Sequence, residues 1–282
     1  MKWGLWGAQL NTAGYQGLIE HCLNLGITTF DHADIYGHYS TEAEFGDALA
    51  ALGPSYRHQL ELVTKCGIRL VTPARPEHWL KSYDSSAEFI RTAVENSLRN
   101  LRTDYLDLLL LHRPDPLLAP AEVAEVFAEL KAAGKVLHFG VSNFTPSQFA
   151  LLSAHTPLVT NQVEASPLHS APFFDDTFDQ LLALKRRPMA WSPLGGGQYF
   201  LANDAAGLRL RKIVQNINEK LGYPGEDVVL LAWLLRHPSG IIPVLGTSRP
   251  ERLTSACRAL AFTLDSQDWF AILAAARGEE MA

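Results

Sequence analysis

Four side chains of this 282-residue chain stand where short apolar runs give way to loops, and together they could move a proton. Asp31 and Tyr36 lie in Phe30-Asp31-His32-Ala33-Asp34-Ile35-Tyr36-Gly37, Lys65 ends Leu62-Val63-Thr64-Lys65, and His112 ends Leu109-Leu110-Leu111-His112. A charge at the end of an apolar strand is costly to desolvate unless it is paired. Asp31 and Lys65 suit each other as partners across neighbouring strands. A free tyrosine keeps its proton to about pH 10. An ammonium beside it stabilises the phenolate, and a carboxylate holds the ammonium in place. A tyrosine in that company can protonate a carbonyl oxygen while hydride arrives at its carbon. A neutral imidazole nearby could orient the same oxygen. Taken singly, each residue reads better as half of a structural ion pair or as a satisfied core histidine. Four of them converging on one face shift the balance toward catalysis.

Convergence requires parallel strands whose C-terminal ends meet. Short β-rich runs at residues 3–7, 28–31, 60–65, 106–111, 136–141, 159–162, 188–192 and 241–245 supply eight candidates. Several are almost continuously apolar, as strands buried on both faces are. Between them lie helical patterns, among them 15–25, 86–101 and 121–133, the last with Val123, Val126, Phe127 and Leu130 on one face. Ser40 with Glu42 and Glu44 reads as a helix start, Gly134 as a stop, and Thr145-Pro146 as a cap followed by proline at the first helical position. Strand–helix alternation closes most simply into a (β/α)8 TIM barrel, α/β in class, whose reacting groups sit at the C-terminal face. An open doubly wound sheet would carry G-x-G-x-x-G after its first strand, and no candidate strand is followed by it. No repeat or linker divides residues 1–282, so one domain is expected, with two helices beyond the eight-fold plan at 226–236 and 266–277.

Composition narrows the partners. With 24 basic and 30 acidic residues the formal net charge is −6, and the basic residues form no cluster that would bind nucleic acid. Apolar stretches such as 228–235 are far shorter than the roughly 20 residues a spanning helix needs. The first ten residues lack the apolar core of a signal peptide. Cys22, Cys66 and Cys257 are odd in number and lack metal-ligand spacing, which suggests free thiols in a reducing cytoplasm. A small-molecule carbonyl substrate is the expected partner.

The pattern Asp31-x-Ala33-x-x-Tyr36-Gly37, the strand-ending Lys65 and Leu111-His112 resemble the Asp–Tyr–Lys–His tetrad of the aldo-keto reductase family. The likeness continues through Gly140-Val141-Ser142-Asn143-Phe144, Asn161-Gln162-Val163-Glu164, Trp191-Ser192-Pro193-Leu194-Gly195 and Gly246-Thr247-Ser248-Arg249-Pro250-Glu251-Arg252. The runs around Tyr36 and Leu111-His112-Arg113-Pro114-Asp115-Pro116 are similar to a bacterial subgroup of oxidoreductases in that family. The resemblance implies an NADP cofactor bound without a Rossmann fold and a carbonyl reduced to an alcohol. It assigns Ser142, Asn143 and Gln162 to the nicotinamide carboxamide, Trp191 to stacking on the ring, and 192–197, with Ser192, Leu194 and Gly195, to the pyrophosphate. Thr247, Ser248, Arg249 and Arg252 would meet a 2′-phosphate, which favours NADPH. Trp6 would line the substrate pocket. Helix capping is the rival role for Ser142 and Asn143, core packing for Trp191, and a solvated basic patch for the two arginines. His32, Asp34 and Arg113 flank the tetrad, with substrate contact and packing both open.

Two departures from the family pattern carry expectations of their own. Relatives place a β-hairpin before the first strand, whereas here that strand starts almost at Met1; either the barrel's bottom closes differently or the natural start lies upstream. The short tail ending at Ala282 implies an open substrate site. Two other functions stay open. One is a regulatory relative that binds cofactor without turnover. The other is a Schiff-base aldolase with Lys65 as its nucleophile.

Overall fold

The computed structural model describes residues 3–279. The chain divides into two compact units, one ending at Asn161 and the other beginning at Gln162. In the first unit the order is α1 (Thr12–Asn24), β1 (Thr29–Asp31), α2 (Tyr36–Tyr39), α3 (Thr41–Leu52), β2 (Glu61–Cys66), β3 (Ile68–Arg69), β4 (Ser82–Tyr83), α4 (Ala87–Leu101), β5 (Leu106–Leu111), α5 (Pro120–Ala132), β6 (Val136–Ser142) and α6 (Pro146–Ser153). The strand β7 (Asn161–Glu164) lies at the division. The second unit continues with α7 (Thr177–Ala183), β8 (Met189–Trp191), α8 (Gln198–Leu201), α9 (Ala205–Lys220), α10 (Glu226–Leu235), β9 (Ile242–Pro243), α11 (Pro250–Cys257) and α12 (Ser266–Arg277).

The first unit's main strands are parallel, with Asp31 opposite Val63, Lys65 opposite Leu110 and Leu111 opposite Val141. In β2 every residue from Leu62 to Cys66 is buried, so Lys65 is a lone charge inside an apolar strand. The other end of these strands carries its own pair. Arg57 Nη2 meets Asp107 Oδ2 at 2.8 Å, and the guanidinium also donates to Thr103 Oγ1 and to the carbonyls of Leu60 and Tyr105. Asp107 Oδ2 in turn accepts from the Leu62 amide. Four of the five guanidinium donors are thus engaged, and the pair reads as structural. Helices pack close behind the strands, and a Cβ on Gly46 would lie 2.0 Å from the Asn100 carbonyl, so only glycine lets α3 approach the end of α4.

In the second unit β8 runs parallel to β7 and β9, with Glu164 opposite Trp191 and Ala190 opposite Pro243. Its core centres on α10, buried from Val228 to Leu234. Trp233 and Trp269 stack at 4.9 Å and 7°, and each indole N–H donates to the other's main-chain carbonyl, at 2.9 and 3.0 Å.

Most sequence-based bounds hold to within two residues. Helix α6 opens with Thr145 and Gln148 in a reciprocal capping box, and Ser86 caps α4 through the Phe89 amide. The expected strand at 3–7 is corrected. The chain there folds into a turn, with Gly7 N donating to Gly4 O and Leu10 N to Trp3 O. Trp3 packs its ring against Tyr15, Phe30 and Phe45, so its apolar character serves an aromatic cluster and no ladder. Helix α9 and the β3–β4 hairpin were not anticipated. Helix α9 could have been found from Leu210, Val214 and Ile217, buried at helical spacing behind the Asp204 cap. Among the described residues no helix is long and apolar enough to cross a membrane.

His32 generates a test of this packing. It is wholly buried, its ring stands edge-on to Phe45 at 4.5 Å, and both ring nitrogens lack a hydrogen-bond partner. Burial, reinforced by the charge of Lys65, pushes its pKa well down, so the folded protein keeps it neutral. The unfolded chain protonates it below about pH 6.5. Below that pH the unfolded state binds a proton that the folded state refuses, so stability falls with pH by about 1.4 kcal/mol per unit. Replacing His32→Phe should remove this dependence. Urea unfolding of both proteins should show the stability difference moving by about 1.4 kcal/mol in the variant's favour between pH 7.5 and 5.5. A difference that stays constant would mean that the folded protein accepts a charged His32.

Candidate active site

The arrangement is built around the Lys65 ammonium, whose residue is 1% exposed. Nζ donates to Asp31 Oδ2 at 2.7 Å, to the His32 carbonyl at 2.7 Å and to Tyr36 Oη at 3.3 Å. An ammonium has three donors, and here each has an oxygen. Burial by itself would lower the lysine's pKa, but the Asp31 charge and the Tyr36 oxygen outweigh it and hold the pKa above the ordinary value. A Schiff-base nucleophile must be a neutral amine, so this environment speaks against the aldolase alternative.

Tyr36 stands between two rings. Trp6 lies 6.2 Å away and tilted, and His112 lies 5.9 Å away edge-on. The backbone after Tyr36 is left-handed at three successive residues, Gly37, His38 and Tyr39, with φ of 61, 55 and 72°. Such values cost a non-glycine residue about 1–2 kcal/mol. At Gly37 a Cβ would also lie 2.5 Å from Thr41 Oγ1. The segment is pinned by Tyr39, whose hydroxyl accepts from Leu70 N at 3.2 Å and donates to Ile68 O at 3.5 Å. His112 is 5% exposed, and its Nδ1 is buried without a partner. Burial first, then the charges of Lys65, Arg113 and Lys81, push its pKa well down. It is therefore a neutral ring able to donate through one nitrogen.

Two further carboxyl groups surround the centre. Glu42 is buried on α3 and accepts from Thr64 Oγ1 at 2.5 Å and Ser97 Oγ at 3.0 Å; burial raises its pKa against those hydrogen bonds. Burial, helped by the charge of Glu42, pushes Asp34 well up, and its Oδ1 accepts from the Ile35 amide at 2.7 Å.

The strand-end amides divide between the units. In the first, Ser142 ends β6 at 1% exposure, and Asn143 Nδ2 approaches its hydroxyl at 3.4 Å. Asn143 is left-handed, with φ of 57°. The adjacent Phe144 is gripped on both sides by Asn161, whose Nδ2 donates to Phe144 O at 2.7 Å and whose Oδ1 accepts from Phe144 N at 3.4 Å. Asn161 thus holds the turn that follows β6. Arg113 Nη1 donates to His112 O at 2.6 Å and reaches Ser142 Oγ at 3.4 Å. In the second unit Gln162 is buried, with Nε2 facing Met189 Sδ at 3.8 Å. Trp191 ends β8 half-buried. Ser192, Gly195, Gly196 and Gly197 follow with φ between 51 and 92°, and a Cβ on Gly195 would lie 2.8 Å from Leu168. Leu194 packs on the cluster of Val228, Leu231 and Ala259. Arg249 caps α11, its amide donating to Thr247 Oγ1 at 3.1 Å, and Arg252 is on the first turn; both arginines are exposed, with Ser248 half-buried before them. Asp31, Tyr36, Lys65, His112 and Trp6 are thus brought together in the first unit. The residues around Trp191 and those around Arg249 form two local groups of the second.

Lys81, which acts on His112, was not anticipated. Its signal was the twenty-residue gap between the end of β2 and the start of α4, long against the usual connections of about 2–6 residues.

Comparison with known proteins places the chain in a family. The family model described as Aldo/keto reductase family matches residues 1–277. Oxidoreductase YdhF of Escherichia coli is 47% identical over 100% of this chain and 92% of its own length. A 6-dehydroglucose reductase of Agrobacterium fabrum is 44% identical over 99% of this chain and 95% of its own length. The crystal structure of a thermostable aldo-keto reductase bound to the inhibitor epalrestat superposes with a TM-score of 0.79 at 24% identity, covering 97% of this chain and 93% of that one. The fold is accordingly the α/β barrel of these enzymes, and the chain belongs to the aldo/keto reductase family, an oxidoreductase family that uses nicotinamide cofactors.

Proposed function

We propose that the protein is an NADPH-dependent reductase that converts a polar aldehyde or ketone to its alcohol, with Tyr36 as proton donor. The observation that carries this reading is the single ammonium, Lys65, bonded at once to Asp31, the His32 carbonyl and Tyr36. When bound, the nicotinamide supplies hydride to the carbonyl carbon. Tyr36 Oη gives its proton to the carbonyl oxygen, and the Lys65 ammonium stabilises the phenolate left behind. Asp31 fixes the ammonium, and neutral His112 orients the oxygen by hydrogen bonding. The name of the 6-dehydroglucose reductase supports a hydroxylated substrate.

The chain's residues fit the cofactor. Ser142 and Asn143 offer a hydroxyl and an amide at a clamped turn, and Gln162 a buried amide, all suited to a neutral carboxamide. Trp191 offers a half-buried ring. Left-handed Ser192, Gly195, Gly196 and Gly197 suit a turn in which peptide N–H groups meet phosphate. Two exposed arginines, Arg249 at the N-cap of α11 and Arg252 on its first turn, suit a 2′-phosphate.

Three measurements test this. Tyr36→Phe should lower kcat by about 10²–10⁴-fold while NADPH affinity, read by tryptophan fluorescence, stays close to wild type. A variant that keeps most of its turnover removes Tyr36 from the role of acid. Lys65→Met should abolish turnover and also cost about 3–5 kcal/mol in denaturant unfolding, because Asp31 is left uncompensated. Adding Asp31→Asn to it should recover part of that loss; no recovery would deny the pair its energetic role. Arg249→Ala with Arg252→Ala should weaken NADPH by about one to two powers of ten and NADH far less. That loss should shrink as salt rises. Equal losses for both cofactors would mean that the arginines do not read the phosphate.

A further inference from the structure

The chain leaves β2 on an excursion that returns to the candidate site. Strands β3 and β4 pair antiparallel, Ile68 opposite Tyr83, and residues 70–81 loop out between them. The return limb is fastened in three ways. Asp84 N donates to Gly67 O at 3.1 Å, Arg69 forms an ion pair with Asp84, and Ser85 donates through N and Oγ to Asp115 Oδ2 at 3.0 and 2.7 Å. Asp115 lies two residues beyond Arg113, in the loop after β5. The limb is therefore seated beside the loop that begins at His112. Lys81 is its last residue before β4. It is exposed and, among the described residues, makes no hydrogen bond or ion pair. Some exposed cations elsewhere do have carboxylates, Arg91 with Glu129, Arg102 with Asp47, and Lys220 with Asp265 and Asp268. Lys81 is nevertheless close enough to His112 for its charge to help keep that ring neutral. From the opposite direction in sequence, the Arg113 guanidinium spans from the His112 carbonyl to the Ser142 hydroxyl. Two cations carried by different loops thus flank the histidine that faces Tyr36.

We propose that Lys81 and Arg113 are substrate-binding, specificity-determining residues that grip acceptor oxygens beyond the reacting carbonyl, so that hydroxylated or carboxylated aldehydes are selected over plain alkyl ones. This rests on the reductase reading above. An alkyl chain placed against these groups would strip water from two charges and return no hydrogen bond. Hydroxyl or carboxylate oxygens replace that water with charge-assisted bonds. Lys81 supplies a mobile point charge from the excursion, and Arg113 a planar fork already braced by two oxygens.

The test compares three aldehydes of similar size on the full-length protein saturated with NADPH: D-glyceraldehyde, succinic semialdehyde and butanal. Lys81 has no structural bond to lose, so Lys81→Met spares the fold. It should lower kcat/KM for the two oxygen-bearing substrates relative to butanal by about ten- to a hundredfold. Lys81→Arg should restore most of the ratio, and Lys131→Met, the same change at an exposed lysine of α5, should leave it at the wild-type value. A loss confined to succinic semialdehyde identifies a carboxylate as the group gripped, and a loss on both identifies acceptor oxygens in general. An unchanged ratio in Lys81→Met, or an equal fall for all three aldehydes, overturns the proposal while leaving the reductase reading intact. Wild-type protein that oxidises NADPH with none of the three overturns the reductase reading, and the proposal with it.

Discussion

A positive charge buried inside an apolar strand is expensive, and in this protein the expense falls on Lys65. Of its four companions from Leu62 to Cys66, Leu62, Val63 and Cys66 offer the ammonium nothing, and Thr64 is already bonded to Glu42. Everything that keeps the charge tolerable comes from β1 and the turn after it: the Asp31 carboxylate, the His32 carbonyl and the Tyr36 hydroxyl. Removing any one leaves an ammonium proton without an acceptor in a place water does not reach. The left-handed run from Gly37 to Tyr39 follows from the same demand. Tyr36 has to turn back toward the strand end within a few residues of Asp31, and the strain of that turn is held by the bonds of Tyr39 to Ile68 and Leu70.

Burial, with this charge added to it, sets the state of two neighbours. His112 and His32 both sit in its field and both are kept neutral, the first facing Tyr36 and the second turned into the aromatic cluster around Phe45. A protonated His112 would compete with Lys65 for the phenolate, whereas a neutral one can orient a carbonyl oxygen without adding charge. The contrast with Arg57 and Asp107 at the opposite strand ends is instructive. There four of the five guanidinium N–H donors are taken by carbonyls, a hydroxyl and Asp107, and Tyr105 stacks on the plane, so the group serves the fold. Both ends of these strands carry an ion pair. Only at the C-terminal end does the pair include a tyrosine hydroxyl and adjoin a histidine nitrogen without a partner.

The features legible in the sequence were those with a strong local cause. A lysine ending a buried apolar run, a cap followed by proline at Thr145-Pro146 and glycine after Ala133 each leave a signature in a few adjacent residues, and each was read correctly. The strand at 3–7 was misread because apolar residues between glycines satisfy a strand pattern equally well when they form a turn whose tryptophan anchors elsewhere. The β3–β4 pairing spans two residues on each side, too few for any period to show. Asn161 looks from sequence like one more polar residue at a strand start. Its two hydrogen bonds to Phe144 depend on sixteen intervening residues folding back, which no local pattern encodes.

That difference separates the chemistry of the site from its selectivity. The ion pair that the site is built on, Asp31 with Lys65, is carried on paired strands, where parallel pairing fixes it to within a register, and a one-residue slip would turn either residue to the wrong face. Lys81 has no such constraint. It rides on an excursion seated by the Ser85–Asp115 bonds, its side chain is in water, and the fold would survive its replacement. Chain length and composition in residues 70–81 can therefore vary without disturbing Lys65, Asp31 or Tyr36. Substrate selection placed on such a loop can change while the proton-transfer geometry stays fixed, which is how one strand framework can serve many different carbonyl compounds.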